Sequence, residues 1–174
     1  VLAQRDIDRE FKSVFVTNKK LGIDSISNIN GLKKLENLRF TFGSENSTSG
    51  RLMPEYFLND AGIQISDFKG GKAGFSGSHD ATIALVNSGS YDAGVLNKQV
   101  WANNLKNNSK RTKNVKEFWI TPDYVDYHWL AQGNLDERFG VNFTIRLKSL
   151  ILSLDIQNPE HKEILDLFNA QKFI

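Results

Sequence analysis

Apolar positions recur along the chain in two rhythms. Phe11-Lys12-Ser13-Val14-Phe15-Val16-Thr17 alternates and is rich in β-branched and aromatic side chains, which predicts a strand. Leu38-Arg39-Phe40-Thr41-Phe42, Tyr91-Asp92-Ala93-Gly94-Val95-Leu96 and the run from Val115 to Ile120 read the same way. Between them the spacing becomes helical. Leu52, Met53, Tyr56, Phe57 and Leu58 mark one apolar face, and Ala81, Ile83, Ala84, Leu85 and Val86 mark another, closed by Ser88-Gly89. Lys98 to Leu105 is a third helix, and two amphipathic stretches, Thr144 to Leu154 and Ile164 to Phe168, close the chain. Ile63-Gln64-Ile65 reads as a short strand, Lys69 to Gly74 as a Gly-rich loop, and Lys106 to Lys113 as a solvated basic loop. Strands and helices alternate, which predicts a three-layer α/β architecture with a mainly parallel sheet.

The chemistry sits where strands turn into helices. Ser47-Thr48-Ser49-Gly50 falls between the Phe40-Thr41-Phe42 strand and the helix that follows. The first N–H groups of a helix lack internal partners, and the helix dipole adds partial positive charge there. Small hydroxyls beside such N–H groups suit a tetrahedral oxyanion. Any one of the three also suits plain N-capping. Ser76-Gly77-Ser78-His79-Asp80 is a second cap-like helix start, with the His79 imidazole as a donor, although a lone His is commonly structural. In open α/β sheets ligands bind beyond the carboxyl ends of the strands. Ser47 to Ser49, Asn97, and Thr121 to Asp126 each follow a predicted strand, and in a parallel sheet these groups and His79 can converge on one edge. A carboxylate such as Asp126 is useful beside an oxyanion when the ligand carries a proton for it to accept. Otherwise it is an exposed loop residue.

Composition narrows the partners. The 174 residues carry a formal charge of +2 and include no cysteine, so disulfides and thiolate metal sites are excluded, and the total charge does not call for nucleic acid. No apolar run approaches the ~20 residues of a membrane span. His79, His128 and His161 lack ligand-type spacing, and Gly70-Gly71 fits no phosphate-loop or dinucleotide pattern. Ser47 with His128 and Asp126 as a catalytic set lacks a nucleophile-elbow pattern, so no catalytic residue is assigned.

Taken in order, the Ser-Thr-Ser-Gly turn after a Phe-rich strand, Gly77-Ser78-His79-Asp80-Ala81, Tyr91-Asp92-Ala93-Gly94-Val95-Leu96-Asn97, and Thr121-Pro122 with Asp126 and Trp129 resemble the phosphonate/phosphite-binding proteins of ABC importers, in the type II periplasmic-binding-protein superfamily. The resemblance runs from about the Phe11 strand to the C-terminal Ile174. It implies a two-lobed clamshell of α/β/α lobes that binds a small phosphorus oxyanion without chemistry or cofactor. It further implies a periplasmic or extracytoplasmic location and an ABC permease as partner. Ser47, Thr48 and Ser49 match the family's helix-start hydroxyls, His79 its histidine donor, and Asp126 the acceptor for a protonated ligand oxygen. Asn97 falls where some members carry a carboxylate for a ligand ammonium, which points to phosphite, methylphosphonate or a similar small anion.

Family members are longer, and their extra part precedes the matched region. The chain is therefore expected to be one partial solute-binding domain. Residues of about 18–120 form the second lobe, and 1–17 with 121–174 serve as hinge and return toward the first. The surface left by a missing lobe would favour self-association. An alternative is a ligand-sensing input domain of the same fold in a signalling protein. A phosphoester-processing enzyme is a third, for which only His79, Asp126 and His128 are on offer.

Overall fold

A computed structural model describes residues 1–174. The chain divides into two compact units, Lys12–Pro122, and Val1–Phe11 with Asp123–Ile174.

The larger unit contains β1 (Ser13–Asn18), β2 (Phe40–Phe42), α1 (Met53–Asp60), β3 (Gly74–Phe75), α2 (His79–Ser88), β4 (Ala93–Asn97), α3 (Lys98–Asn107), α4 (Ser109–Thr112) and β5 (Val115–Ile120). The five strands form one sheet in the order β3-β2-β4-β1-β5. The expected mainly parallel sheet is corrected to a mixed one. β2 pairs in parallel with β3 and β4, whereas β1 is antiparallel to both β4 and β5. Only β1 runs against the others, so the carboxyl ends of β2, β3, β4 and β5 share one edge with the start of β1.

β1 and β4 are buried along their whole length, as central strands covered on both faces must be. On one face Val14, Val16, Leu96 and Val115 pack with Ile83 and Val86 of α2 and Trp101 of α3. The other face is aromatic. Phe15 lies 6.0 Å from Phe40 and 5.7 Å from Trp119, and Phe57 of α1 meets Trp119 edge-on at 5.7 Å. This is the three-layer arrangement expected from the alternation of elements. β1, expected to belong to the hinge segment, pairs along both sides inside the larger unit.

Three local expectations are corrected. Ile63-Gln64-Ile65 is not a strand; the chain makes a 3-10 turn over Ile65–Asp67, closed by Asp67 accepting from the Gln64 N–H at 2.7 Å. The basic loop carries the one-turn helix α4, anchored by buried Thr112. The end of the Gly-rich loop is the short edge strand β3.

The smaller unit carries α5 (Leu135–Phe139), α6 (Phe143–Leu152) and α7 (Pro159–Leu167). Its core gathers Leu2, Ala3, Ile151, Leu165, Ala170 and Phe173, with Trp129 packed against it. Residues 3, 5 and 11 form isolated antiparallel bridges to Trp129, Phe173 and Tyr124. No helix of either unit is long and apolar enough to cross a membrane.

Candidate functional site

The first helix start begins as a widened π turn, Thr48–Leu52, that runs directly into α1. Ser47 is its N-cap, with Oγ accepting from the Gly50 N–H at 2.9 Å. The capping reading therefore holds for Ser47. Thr48 and Ser49 occupy the first two helical positions, where backbone N–H groups project from the helix end. The Gly43 N–H donates to the Gly50 carbonyl at 2.8 Å, which folds the loop back onto the end of β2. That approach needs two glycines, because a Cβ on Gly50 would lie 3.2 Å from the Gly43 Cα.

The second helix start is tied to the same strand end. The Ser76 N–H donates to the Phe42 carbonyl at 3.0 Å and the Gly77 N–H to the Gly43 carbonyl at 3.2 Å. Arg51 spans the two starts, its guanidinium 5.1 Å from the Phe75 ring and 5.7 Å from the Phe42 ring, while Glu55 accepts from it at 2.9 Å. Ser78 caps α2 by accepting from the Ala81 N–H at 3.2 Å, so His79 is the first residue of that helix.

His79 is half-buried, and its Nδ1 accepts the Asn97 N–H at 3.3 Å. With Nδ1 occupied as acceptor, the neutral imidazole carries its proton on Nε2 and offers it as a donor. Burial lowers the His79 pKa from its ordinary value, with adjacent Asp80 acting weakly in the opposite sense. The imidazole is thus kept neutral, a donor that needs no charge. Unfolded imidazole titrates near 6.5. Below that pH the unfolded chain binds more protons than the folded one, so stability falls as pH drops from about 7 and levels off below the folded His79 pKa. Denaturant unfolding between pH 7 and pH 5 should show a shallower decline for His79→Gln than for the parent chain. Equal slopes would remove His79 as a contributor.

Asn97 ends β4 and caps α3, its Oδ1 accepting from the Val100 N–H at 3.0 Å. The cap fixes the amide orientation and leaves the Nδ2 hydrogens as donors. Asn97 also pairs across the sheet with Ser13 of β1. Ser13 is wholly buried; its Oγ donates to the Ser49 carbonyl at 2.7 Å, and its N–H donates to Thr121 Oγ1 at 3.0 Å. Hydrogen bonds and strand pairing therefore link residues 47–49, 79 and 97 around one sheet edge.

Asp126 belongs to the smaller unit. It is buried there, its N–H donating to the Asp8 carbonyl at 2.9 Å. Asp8 also binds the Arg5 guanidinium, which this contact, with a smaller contribution from Asp126, holds firmly charged. Burial and, after it, the Asp126 charge push the Tyr127 phenol up.

Two residues escaped the reading of the sequence, Ser13 and Arg51, while Thr121 entered it only as the start of the segment after a predicted strand. Ser13 looks like an ordinary polar member of a strand, and Arg51 like a solvated helix cation. Only Pro54 carried a signal, because a proline near a helix start leaves earlier carbonyls without their usual donors.

Known proteins provide the context for this edge. The chain matches, over residues 1–174, the family described as "ABC transporter, phosphonate, periplasmic substrate-binding protein". It is 75% identical over its whole length to the "Probable ABC transporter phosphite binding protein PhnD1" of Prochlorococcus marinus (strain MIT 9301), of which it covers 59%. It also superposes on the solved structure of PhnD1 in complex with methylphosphonate with a TM-score of 0.87, covering 100% of this chain and 64% of that one. A binding protein component of an ABC phosphonate transporter from Pseudomonas aeruginosa, 20% identical, shares the fold with a TM-score of 0.64 over 95% of this chain and 52% of its own. The chain thus spans about 59% of the length of its curated relative, and it belongs to the phosphonate periplasmic substrate-binding protein family of ABC transporters.

Proposed function

We propose that this chain is the ligand-binding part of an extracytoplasmic solute-binding protein that delivers a small phosphorus oxyanion to an ABC permease, binding it without chemistry. The observation that carries this reading is the meeting of two capped helix starts and Asn97 at one sheet edge, all presenting donors. The N–H groups of Thr48 and Ser49, the side chains of Ser47, Thr48 and Ser49, and a neutral His79 form an anion cradle of this kind. Asn97 has its oxygen engaged in the α3 cap, so it offers hydrogens outward and no acceptor for a ligand ammonium. Phosphite or methylphosphonate then suits the cradle better than an aminoalkylphosphonate. Asp126 enters the proposal through the family resemblance alone, as the acceptor for a protonated ligand oxygen. PhnD1, the relative named for phosphite binding and solved with methylphosphonate, supports this ligand class. In the smaller unit Leu130, Val141, Ile145, Leu150 and Leu167 are exposed, and such a surface favours association with further protein.

Calorimetry with phosphite, methylphosphonate, 2-aminoethylphosphonate, phosphate and sulfate tests the reading. Phosphite or methylphosphonate should bind, and 2-aminoethylphosphonate should bind more weakly. Thr48→Ala should weaken the preferred ligand by about 1–3 kcal/mol, the effect of losing a hydrogen bond to a charged group. A preference for the amine would overturn the role given to Asn97, and unchanged affinity in Thr48→Ala the role given to the turn.

A further inference from the structure

We infer that Ser13 is the positioning residue of the anion-binding turn, standing in for a backbone hydrogen that Pro54 removes. In the π turn the Leu52 N–H donates to the Ser47 carbonyl at 3.0 Å, and the Met53 N–H donates to the Thr48 carbonyl. Continuing that five-residue step, the Ser49 carbonyl would take the N–H of residue 54. Residue 54 is proline, which has none. The next carbonyl, that of Gly50, also takes its donor from outside the turn. Both carbonyls belong to buried residues, where an unpaired oxygen is costly.

The sheet supplies a donor to each. The Gly43 N–H at the end of β2 takes the Gly50 carbonyl at 2.8 Å, and Ser13 Oγ at the start of β1 takes the Ser49 carbonyl at 2.7 Å. The turn is therefore fastened to two strands, at Ser49 by a hydrogen bond that its own helix cannot make. Ser13 is fastened in turn, because its carbonyl accepts the Thr121 N–H at 3.0 Å and its N–H donates to Thr121 Oγ1 at 3.0 Å. Ser13 and Thr121 each stand next to a point where the chain passes to the other unit, after Phe11 and after Pro122. A hydroxyl at position 13 thus sets where the Thr48 and Ser49 N–H groups point.

The test is amide hydrogen exchange on the 174-residue chain and its variants. In Ser13→Ala, exchange at Gly43, Gly50, Leu52 and Met53 should quicken by roughly tenfold, the equivalent of one lost net hydrogen bond. The β1–β4 ladder amides should keep the parent rates, which a general loss of stability would not allow. Pro54→Ala restores an N–H at position 54, so the double variant Ser13→Ala, Pro54→Ala should regain slow exchange in the turn. Should Ser13→Ala alone fail to fold, recovery of folding in the double variant supports the inference equally. Unchanged exchange in Ser13→Ala, or no recovery in the double variant, overturns it. A second arm rests on the oxyanion reading: methylphosphonate affinity should fall roughly tenfold in Ser13→Ala. If the parent chain binds neither methylphosphonate nor phosphite, that reading fails, while the exchange result still decides the role of Ser13.

Discussion

Replacing His79 by alanine should weaken oxyanion binding by about 1.5–3 kcal/mol, more than a tenfold loss. Two effects act together. The ligand loses the Nε2 donor, and the Asn97 N–H loses the Nδ1 acceptor it meets at 3.3 Å. The second effect disturbs the start of α3, where the Asn97 side chain is already engaged by the Val100 N–H. His79→Gln keeps a side-chain donor and acceptor and should fall between alanine and the parent. The imidazole is neutral at pH 7, so the loss should depend little on ionic strength, unlike the removal of a charged group. Calorimetry with methylphosphonate at two salt concentrations measures both points. Parent-like affinity in the alanine variant would exclude His79 from the site and leave the Ser47–Ser49 turn, Asn97 and Asp126 as the candidates.

The largest loss of stability is expected at Gly94, in the centre of the sheet. Gly94 lies between Val16 of β1 and Thr41 of β2. A Cβ there would stand 2.8 Å from the Thr82 methyl of α2 and 3.1 Å from both the Thr41 methyl and its carbonyl oxygen. The carbonyl belongs to a paired strand and has little freedom to move. Gly94→Val should therefore destabilise the chain by about 3 kcal/mol through overpacking. For a chain of this size that lowers the melting temperature by roughly 6–12 °C. Gly133 is the control, because nothing lies within 4 Å of a Cβ built on it. Gly133→Ala should stay within about 0.5 kcal/mol of the parent. A Gly94→Val protein that melts with the parent would mean that α2 does not pack on β4 as described, and the placement of His79 would fail with it.

Much of the candidate site is legible residue by residue. Ser47 and Ser78 announce helix starts because a hydroxyl that accepts from the N–H three residues on is a local arrangement. Asn97 ends a strand and opens a helix for the same reason. The Gly43 and Gly50 positions are less transparent. Each looks like a loop glycine, and only their close approach, which would leave a Cβ on either 3.2 Å from the other's Cα, explains why neither carries a side chain. Ile63-Gln64-Ile65 shows the opposite failure. Its alternation imitates a strand, yet no neighbouring strand is there to pair with it, and the Asp67 side chain closes the segment into a turn.

The sequence by itself determined most of the elements, the helix caps and the family, because hydrophobic period and capping act over a few residues and the matching motifs lie in linear order. The tertiary structure alone decided the reversed direction of β1, and with it the place of Ser13 at the edge where β2, β4 and β5 end. It also decided that the donor missing at Pro54 comes from a hydroxyl 36 residues away from the carbonyl it serves. Contacts of that span depend on which strands pair and in which direction. A mixed and a parallel sheet bury the same alternating residues equally well, so the local pattern is consistent with either, and only the assembled sheet selects one.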